Sequence, residues 1–480
     1  MSFQISPDVD GNKVFLVRSS EIEGRLDPYF YCPEFIAIIK KLKDKKARSL
    51  KSIRVDIRKG VFDLSPQNYC KAGVPFLRVS DIKDGTISFA NTVFITNEKH
   101  QEEKKTEYQS GDLVISKVGT IGEVATLPNE YKKYNISQNV VGLKIDQNIR
   151  KLIKPEFLRI FLQLQFGIKQ FFRQTTTGVQ PKITLEAIRN ILIPIPSRKV
   201  QSAIVAKMDA AYAAKKEKEA EAERLLNSID DYLLQELGIE LPEQEENTVQ
   251  SRIFTRRFSE ISGGRFDPDF HKPYFYNILT NIKETGCKLT CLGKISKNII
   301  NGYDCREYTD KGLLYLRVAN VKKNEFDLRT AKYIPTTDIV KDINLQTGDL
   351  LITRKGSFGI AAIVDKSVKN AVISSEIFKI SLSESNKIEP VYLSFWLNSK
   401  ICQIFFSKIK TGAIMGHLSR DALITVPIIL PDITRQQEIA DHITRIRNKA
   451  KQLQQEAKQG LEQAKQEVEA MILGEDSSTA

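Results

Sequence analysis

The chain has 480 residues, with 72 lysines and arginines against 59 aspartates and glutamates, a formal net charge of +13 and a pI near 9.2. That length exceeds one ordinary domain and suffices for two to four, and the charge favours an acidic polymer or surface as partner. Six scattered cysteines argue against a disulfide framework, and no apolar run reaches bilayer length or forms a signal-peptide core in Met1 to Asp10, so a cytoplasmic protein is expected.

Near the N-terminus, Ser20-Glu21-Ile22 leads into Gly24-Arg25-Leu26-Asp27-Pro28-Tyr29-Phe30. The phrase returns at Ser259-Glu260-Ile261 and Gly264-Arg265-Phe266-Asp267-Pro268-Asp269-Phe270. Each copy continues with a short helical pattern, Pro33 to Leu42 and Pro273 to Ile282. The basic run Lys40 to Lys51 is more simply a solvated helix face than a backbone-tracking track. A Gly-bearing polar turn follows (Arg58-Lys59-Gly60; Ile300-Asn301-Gly302), then a strand, Pro75 to Val79 in one copy and Leu314 to Val318 in the other. Arg78 and Arg317 recur inside it, which a shared structural contact explains as well as DNA does.

The clearest repetition is Gly111-Asp112-Leu113-Val114-Ile115-Ser116-Lys117-Val118-Gly119-Thr120-Ile121-Gly122 against Gly348-Asp349-Leu350-Leu351-Ile352-Thr353-Arg354-Lys355-Gly356-Ser357-Phe358-Gly359. Gly-Asp is a turn, the apolar residues are a buried strand, and the glycines give a tight loop carrying a cation. Both copies then run through a strand (Gln138 to Ile145; Glu376 to Leu382) and an amphipathic helix from Pro155 or Pro390. Thr-Gly follows (Thr177-Gly178; Thr411-Gly412), and a Pro-bounded strand (Ile193 to Pro196; Val426 to Pro431) feeds a long helix through Gln201 or Gln436. The offset drifts from about 240 to about 234, so one fold repeats with small loop insertions.

The second long helix, Gln436 to Leu473, carries Ile439, Ile443, Ile446, Ala450, Leu453, Ala457, Leu461, Ala464, Val468 and Met471 at steps of three and four, a coiled-coil seam. So narrow a stripe is expected to pair with another helix rather than enter a globular core. Val200 to Leu237 supplies the partner through Ile204, Met208, Ala211, Ala222, Leu225, Ile229 and Leu233, with Lys215 and Lys218 interrupting it. At about 1.5 Å per residue, about 38 residues span roughly 57 Å, an upper bound of about 17 base pairs.

The expected fold is α+β: two similar globular domains, each followed by a long helix, the helices pairing as an antiparallel coiled coil with a pseudo-two-fold axis; a parallel pair would require the linker to return the full length of the rod. The expected division is 1–198 first domain, 199–238 first helix, 239–256 linker, 257–433 second domain, 434–474 second helix and 475–480 tail.

Catalytic patterns are sparse. No Walker A or glycine-rich nucleotide loop stands in the chain, and His100, His271, His417 and His442 lack triad or metal spacing. Asp27-Pro28-Tyr29 partly matches the acidic-Pro-Pro-aromatic loop of amino-methyltransferases, but it lacks the second proline and reads better as the turn that starts a helix. Cys287 and Cys291 read as ordinary thiols. Binding candidates are Arg58, Lys59, Lys117, Arg354 and Lys355 in Gly-bearing loops, with Gln180, Lys182, His417 and Arg420 after the Thr-Gly pairs. Solvated surface charge accounts for any one of the loop cations equally well, and neutral drift for the differences after the Thr-Gly pairs.

The doubled Gly-Asp-Leu block, the Thr-Gly loop, the Pro-bounded strand and the Gln-containing start of a long helix resemble the specificity subunit of type I restriction-modification systems, over about residues 10 to 474. The resemblance implies two target-recognition domains, each reading half of a split DNA site, on helices that hold two methyltransferase subunits. It implies two ATP-driven restriction subunits as further partners, no catalytic site or cofactor in this chain, and S-adenosylmethionine, ATP and Mg on the partners. Lys215 and Lys218 then mark a register-setting polar layer or a methyltransferase contact. The competing expectations are a coiled-coil protein-interaction scaffold without specific DNA binding and, last, a cryptic enzyme.

Overall fold

The computed structural model describes residues 9–11, 13–61, 64–83, 85–175, 182–243, 248–261, 268–335, 344–383, 388–410 and 416–474. The chain divides into two compact units, residues 1–218 with 455–480 and residues 219–454. The division runs through both long helices rather than at their starts, so each unit holds one globular domain and part of each helix.

In the first unit, strands Asp56–Lys59, Val140–Lys144, Leu113–Ser116 and Val124–Thr126 form an antiparallel sheet in that spatial order. Leu113–Ser116 is buried on both faces, which is why it reads as a continuous apolar run. Leu113, Ile115, Val141 and Leu143 face a helical layer containing Phe157, Phe161 and Phe171. Val114 and Val140 face Leu77 and Ile136 of a second sheet, in which Asn135–Ile136 runs parallel to Val74–Leu77. The second unit repeats this plan. Its antiparallel sheet is Ser296–Asn301, Ile377–Leu382, Leu350–Thr353 and Ala361–Ile363, and Leu313–Leu316 pairs in parallel with Val372–Ile373. Leu350 and Ile352 face helices there, and Leu351 faces Leu316 and Ile373.

Two local expectations change. Arg58-Lys59 and Ile300-Asn301 are strand ends rather than turns, because Lys59 and Arg58 pair with Val141 and Gly142, and Asn301 with Phe378. Only Gly60 and Gly302 leave the strand. A Cβ on Gly60 would lie 2.1 Å from the Ile136 carbonyl oxygen, and on Gly302 2.0 Å from that of Ile373. The single amphipathic helix after Pro155 or Pro390 is two helices, Pro155–Gln163 then Gln165–Gln174, and Pro390–Asn398 then Lys400–Ile409, broken where Leu164 and Ser399 are extended.

The glutamine at the start of each long helix explains its place in the repeat. Gln201 is fully buried; its amide oxygen accepts from Lys154 N at 2.8 Å, and its amide nitrogen donates to Leu152 O at 3.1 Å and Pro196 O at 2.9 Å. Gln436 accepts from Glu389 N at 3.0 Å and donates to Pro431 O at 2.9 Å. Each glutamine therefore ties the helix to the residue that starts a domain helix and to the proline that ends the closing strand.

The long helices are Arg198–Glu236 and Ile433–Leu473. In the first unit Lys218 pairs with Glu456 at 2.6 Å and Lys207 with Glu467, so one helix ascends as the other descends. In the second unit Tyr232 stacks on His442 with centroids 4.1 Å apart, Glu236 pairs with Arg435, and Ala222 packs with Ala450 and Leu453. The pairing is antiparallel in each. Ile204, Met208, Ile439, Ile443 and Leu453 are buried, and Leu225, Ile229, Ile446 and Leu461 are partly buried.

The expectation that the seam stays out of a globular core is overturned. Ile204, Met208, Val468 and Ile472 join the first unit's core, and Leu233, Ile439 and Ile443 join the second's. The closing strand delivers each helix directly onto the domain, so its end turns gain apolar neighbours from two sides. Lys215 and Lys218 lie partly buried on the stripe, and Lys218 meets its acidic partner across the pair, as a polar layer requires. Ile239, expected to open a linker, is buried in the second core.

Candidate nucleic-acid interface

The repeated Gly-Asp-Leu block builds a loop and fixes it. Asp112 is buried and accepts from Gln109 N at 2.9 Å and Ile145 N at 2.8 Å; Asp349 accepts from Gln346 N and the Ser381 hydroxyl, both at 2.8 Å. The Ser116 hydroxyl donates to Thr120 O and accepts from Glu123 N at 2.9 Å. Thr353 does the same with Ser357 O at 2.5 Å and Ile360 N at 2.9 Å. One hydroxyl thus closes each loop from both sides. Gly122 and Gly359 have φ of +83° and +77°, and a Cβ there would lie 2.9 Å from Phe171 or 2.6 Å from Phe406. The loop therefore sits hard against a domain helix.

Backbone bonds then gather three further segments beside the loop. Lys117 N donates to Asn139 O at 2.9 Å, Lys117 O accepts from Ile183 N at 3.2 Å, and Val118 bridges Lys182. Gly60 N donates to Val140 O at 3.1 Å, bringing Lys59 to the same edge. In the second unit Arg354 N donates to Glu376 O at 2.8 Å, Arg354 O accepts from Leu418 N at 3.0 Å, Lys355 bridges His417, and Gly302 N donates to Ile377 O at 3.3 Å. Four positions thus coincide: Lys59, Lys117, Asn139 and Lys182 in one unit, and Asn301, Arg354, Glu376 and His417 in the other.

The structure brings Lys59, Lys117 and Lys182 together as one cationic edge. Lys117 is partly buried, and its ammonium is held below the usual lysine range by burial first and then by repulsion from Lys59 and Lys182. Arg354 is held by a bond from its Nε to Leu418 O at 3.3 Å, with its guanidinium 5.6 Å from the Phe378 ring centroid. That bond uses one of five N–H donors. Lys355 and Arg420 are exposed, Arg420 opening the short helix Arg420–Leu423.

Arg58 stands apart from this group. Its guanidinium grips Asp56 at 2.9 and 2.8 Å on its own strand, and that hydrogen bond raises its pKa further. Gln180, Thr177-Gly178 and Thr411-Gly412 lie outside the described residues, as does the expected tail 475–480.

Several other residues have structural roles. Arg78 donates to Asn91 O at 2.5 Å and Arg317 to Thr330 O at 2.8 Å, each tying the strand end to a chain segment thirteen residues on. Asp27 caps the 3-10 turn Pro28–Tyr31 by accepting from Phe30 N at 3.1 Å, and Arg25 holds it at 2.8 Å, so it starts a helix as the sequence suggests. Among the described residues no group of three or more His, Cys, Asp or Glu could hold a metal, and no helix is long and apolar enough to cross a membrane. Asn139, Asn301 and Glu376 were missed by sequence reasoning. The signal for them was in the repeat: they are places where the two copies align and their polar character differs.

The family model described as "Type I restriction modification DNA specificity domain" matches residues 43–224 and 277–463. The EcoBI specificity subunit of the Escherichia coli type I restriction enzyme is 24% identical over 150 residues, an alignment spanning 31% of this chain and 31% of that protein. Among solved structures, a chain from a study of complex assembly and conformational transition of the type I R-M system covers 88% of this chain and 95% of its own length at 17% identity, with a TM-score of 0.47. The S subunit from M. genitalium covers 88% and 95% at 13% identity, with a TM-score of 0.40. With both halves matched by the family model, the chain belongs to the family of type I restriction-modification DNA specificity domains.

Proposed function

We propose that this chain is the DNA sequence-specificity subunit of a type I restriction-modification complex, each of its two recognition units reading one half of a split, asymmetric site. The observation that carries this reading is the shared four-position edge: one backbone frame, built twice, presents different polar side chains in each copy. Two chemically unlike edges on one framework suit two recognition units that meet unlike half-sites. The net charge of +13 suits a polyanionic partner, with phosphate contacts setting affinity and base contacts setting sequence.

In this reading the chain supplies recognition, while methyl transfer and cleavage belong to its partners: two methyltransferase subunits carrying S-adenosylmethionine and two restriction subunits using ATP and Mg. The paired helices serve as spacer and as seat for the methyltransferases. A map of methylated bases in the native host, with this gene intact and deleted, tests the proposal. Loss of methylation at one split motif is expected on deletion; an unchanged map, with the gene expressed and its neighbours active, refutes it. Exchange of the segment from Asp10 to Pro196 for that of another family member should alter one half of the motif only.

A further inference from the structure

We infer that the four-position edge does different work in the two units: in the first it seats a DNA phosphate, and in the second it reads base edges. The inference rests on the proposed DNA-reading function and assigns the chemistry within it. Equivalence of positions comes from backbone bonds alone. Lys117 and Arg354 each donate to the residue before the central strand, Asn139 or Glu376, and each accepts from the residue after Lys182 or His417. Lys59 and Asn301 each precede the glycine that packs on the neighbouring carbonyl.

In the first unit these positions hold three ammonium groups and one amide. Lysine is a compact point charge with no planar fork; the backbone bonds set Lys59 and Lys182 beside Lys117, whose ammonium burial disfavours first and these two neighbours then repel, so positive potential gathers at this edge. An oxyanion there relieves that repulsion, and duplex DNA offers phosphate as its oxyanion. Such a contact positions the protein without distinguishing sequences.

In the second unit the same places hold an amide, a guanidinium, a carboxylate and an imidazole. A carboxylate beside the seat repels phosphate. It is, however, the acceptor that matches the N4 amino group of cytosine, while arginine matches O6 and N7 of guanine. The phenylalanine ring and the Leu418 carbonyl hold Arg354 in place, which favours directional donation over diffuse attraction.

The test uses the full chain as purified from its native host and a pool of random-sequence duplexes, from which bound sequences are selected and their affinity measured against salt. Wild type is expected to select a split motif. The Lys59→Gln, Lys117→Gln, Lys182→Gln triple variant should select the same motif while its salt slope falls by about 1, as expected for the loss of one phosphate contact at about 0.9 each. Asn139→Glu, which places a carboxylate in the lysine seat, should weaken all sequences alike.

Glu376→Gln should leave the salt slope within about 0.5 of wild type and move the preference at one position of one half from cytosine toward adenine, since glutamine pairs with adenine N6 and N7. A changed motif in the lysine variant, or an unchanged motif with a reduced slope in Glu376→Gln, overturns the division of labour while the specificity function stands. A wild-type chain that selects no motif overturns the function itself.

Discussion

Replacing Gln201 with leucine tests whether a single buried amide fixes the long helix on the first recognition domain. The side chains are similar in size, so packing changes little, and the loss is that of three hydrogen bonds. Lys154 N–H then loses the oxygen 2.8 Å away, and the Leu152 and Pro196 carbonyls lose their donor. The site is fully buried, so water does not readily replace these bonds. An unsatisfied buried group costs about 1–3 kcal/mol, and the added apolar burial returns about 1 kcal/mol, leaving a net loss of about 2–8 kcal/mol over the three groups. For a unit of this size each kcal/mol lowers Tm by about 2–4 °C, so scanning calorimetry should show a drop of at least about 4 °C in the first unit's transition. Limited proteolysis should show new cleavage near Pro196. A fall of less than about 2 °C would refute the reasoning, because it would mean that strand and core contacts position the helix without the amide.

Gly359→Ala brings its Cβ to 2.6 Å from Phe406 at a φ of +77°, and should cost about 2–4 kcal/mol by urea unfolding. Gly356→Ala, at a φ of +69° with open space around it, should cost only about 1–2 kcal/mol; equal losses would show that the contact with Phe406 does not matter. Lys218→Leu removes an ion pair whose two side chains are each 37% exposed, so its effect on Tm should stay within about 2 °C, whereas disulfide mapping of cysteine pairs along the helices should reveal added registers. Glu469 is partly buried, and burial raises its carboxyl above the usual 4.5 despite a bond from Gln165 N at 2.7 Å. Its contribution is therefore full below that value and is lost as pH rises through the raised pKa, so Glu469→Gln should gain Tm over wild type between pH 4.5 and neutrality and not below.

Much of the architecture was legible because the chain says it twice. A loose motif such as Gly-Asp-Leu means little alone, but its recurrence in the same order of parts fixes a strand, a loop and a helix in both copies. Lys59 and Lys117 were named from glycine-bearing loops and Lys182 from the loop after Thr177-Gly178, and the fold brings them together although 123 positions separate the first from the last. The surroundings of Arg58 were not legible, because sequence shows a cation beside a glycine, whereas its grip on Asp56 depends on the strand setting both side chains on one edge. The burial of Ile204 and Ile439 was equally hidden. A seam at steps of three and four describes the helix, whereas what covers the seam depends on a closing strand whose direction local pattern does not encode.

The separation of frame from reading head has a physical basis. The bonds common to both copies that align the four positions run between backbone atoms, from Lys117 N to Asn139 O or from Arg354 N to Glu376 O, and any non-proline side chain leaves those groups in place. The side chains that hold the loop lie elsewhere, in the Ser116 or Thr353 hydroxyl, the buried aspartate and the close-packed glycine. Substitution at the four positions therefore changes charge and hydrogen bonding at the edge with little cost to the fold. That independence lets one framework carry three lysines in one copy and a mixed acid, amide, imidazole and guanidinium set in the other. A bipartite reader needs two half-site chemistries that diverge while the helices between them stay fixed, and this arrangement supplies that freedom.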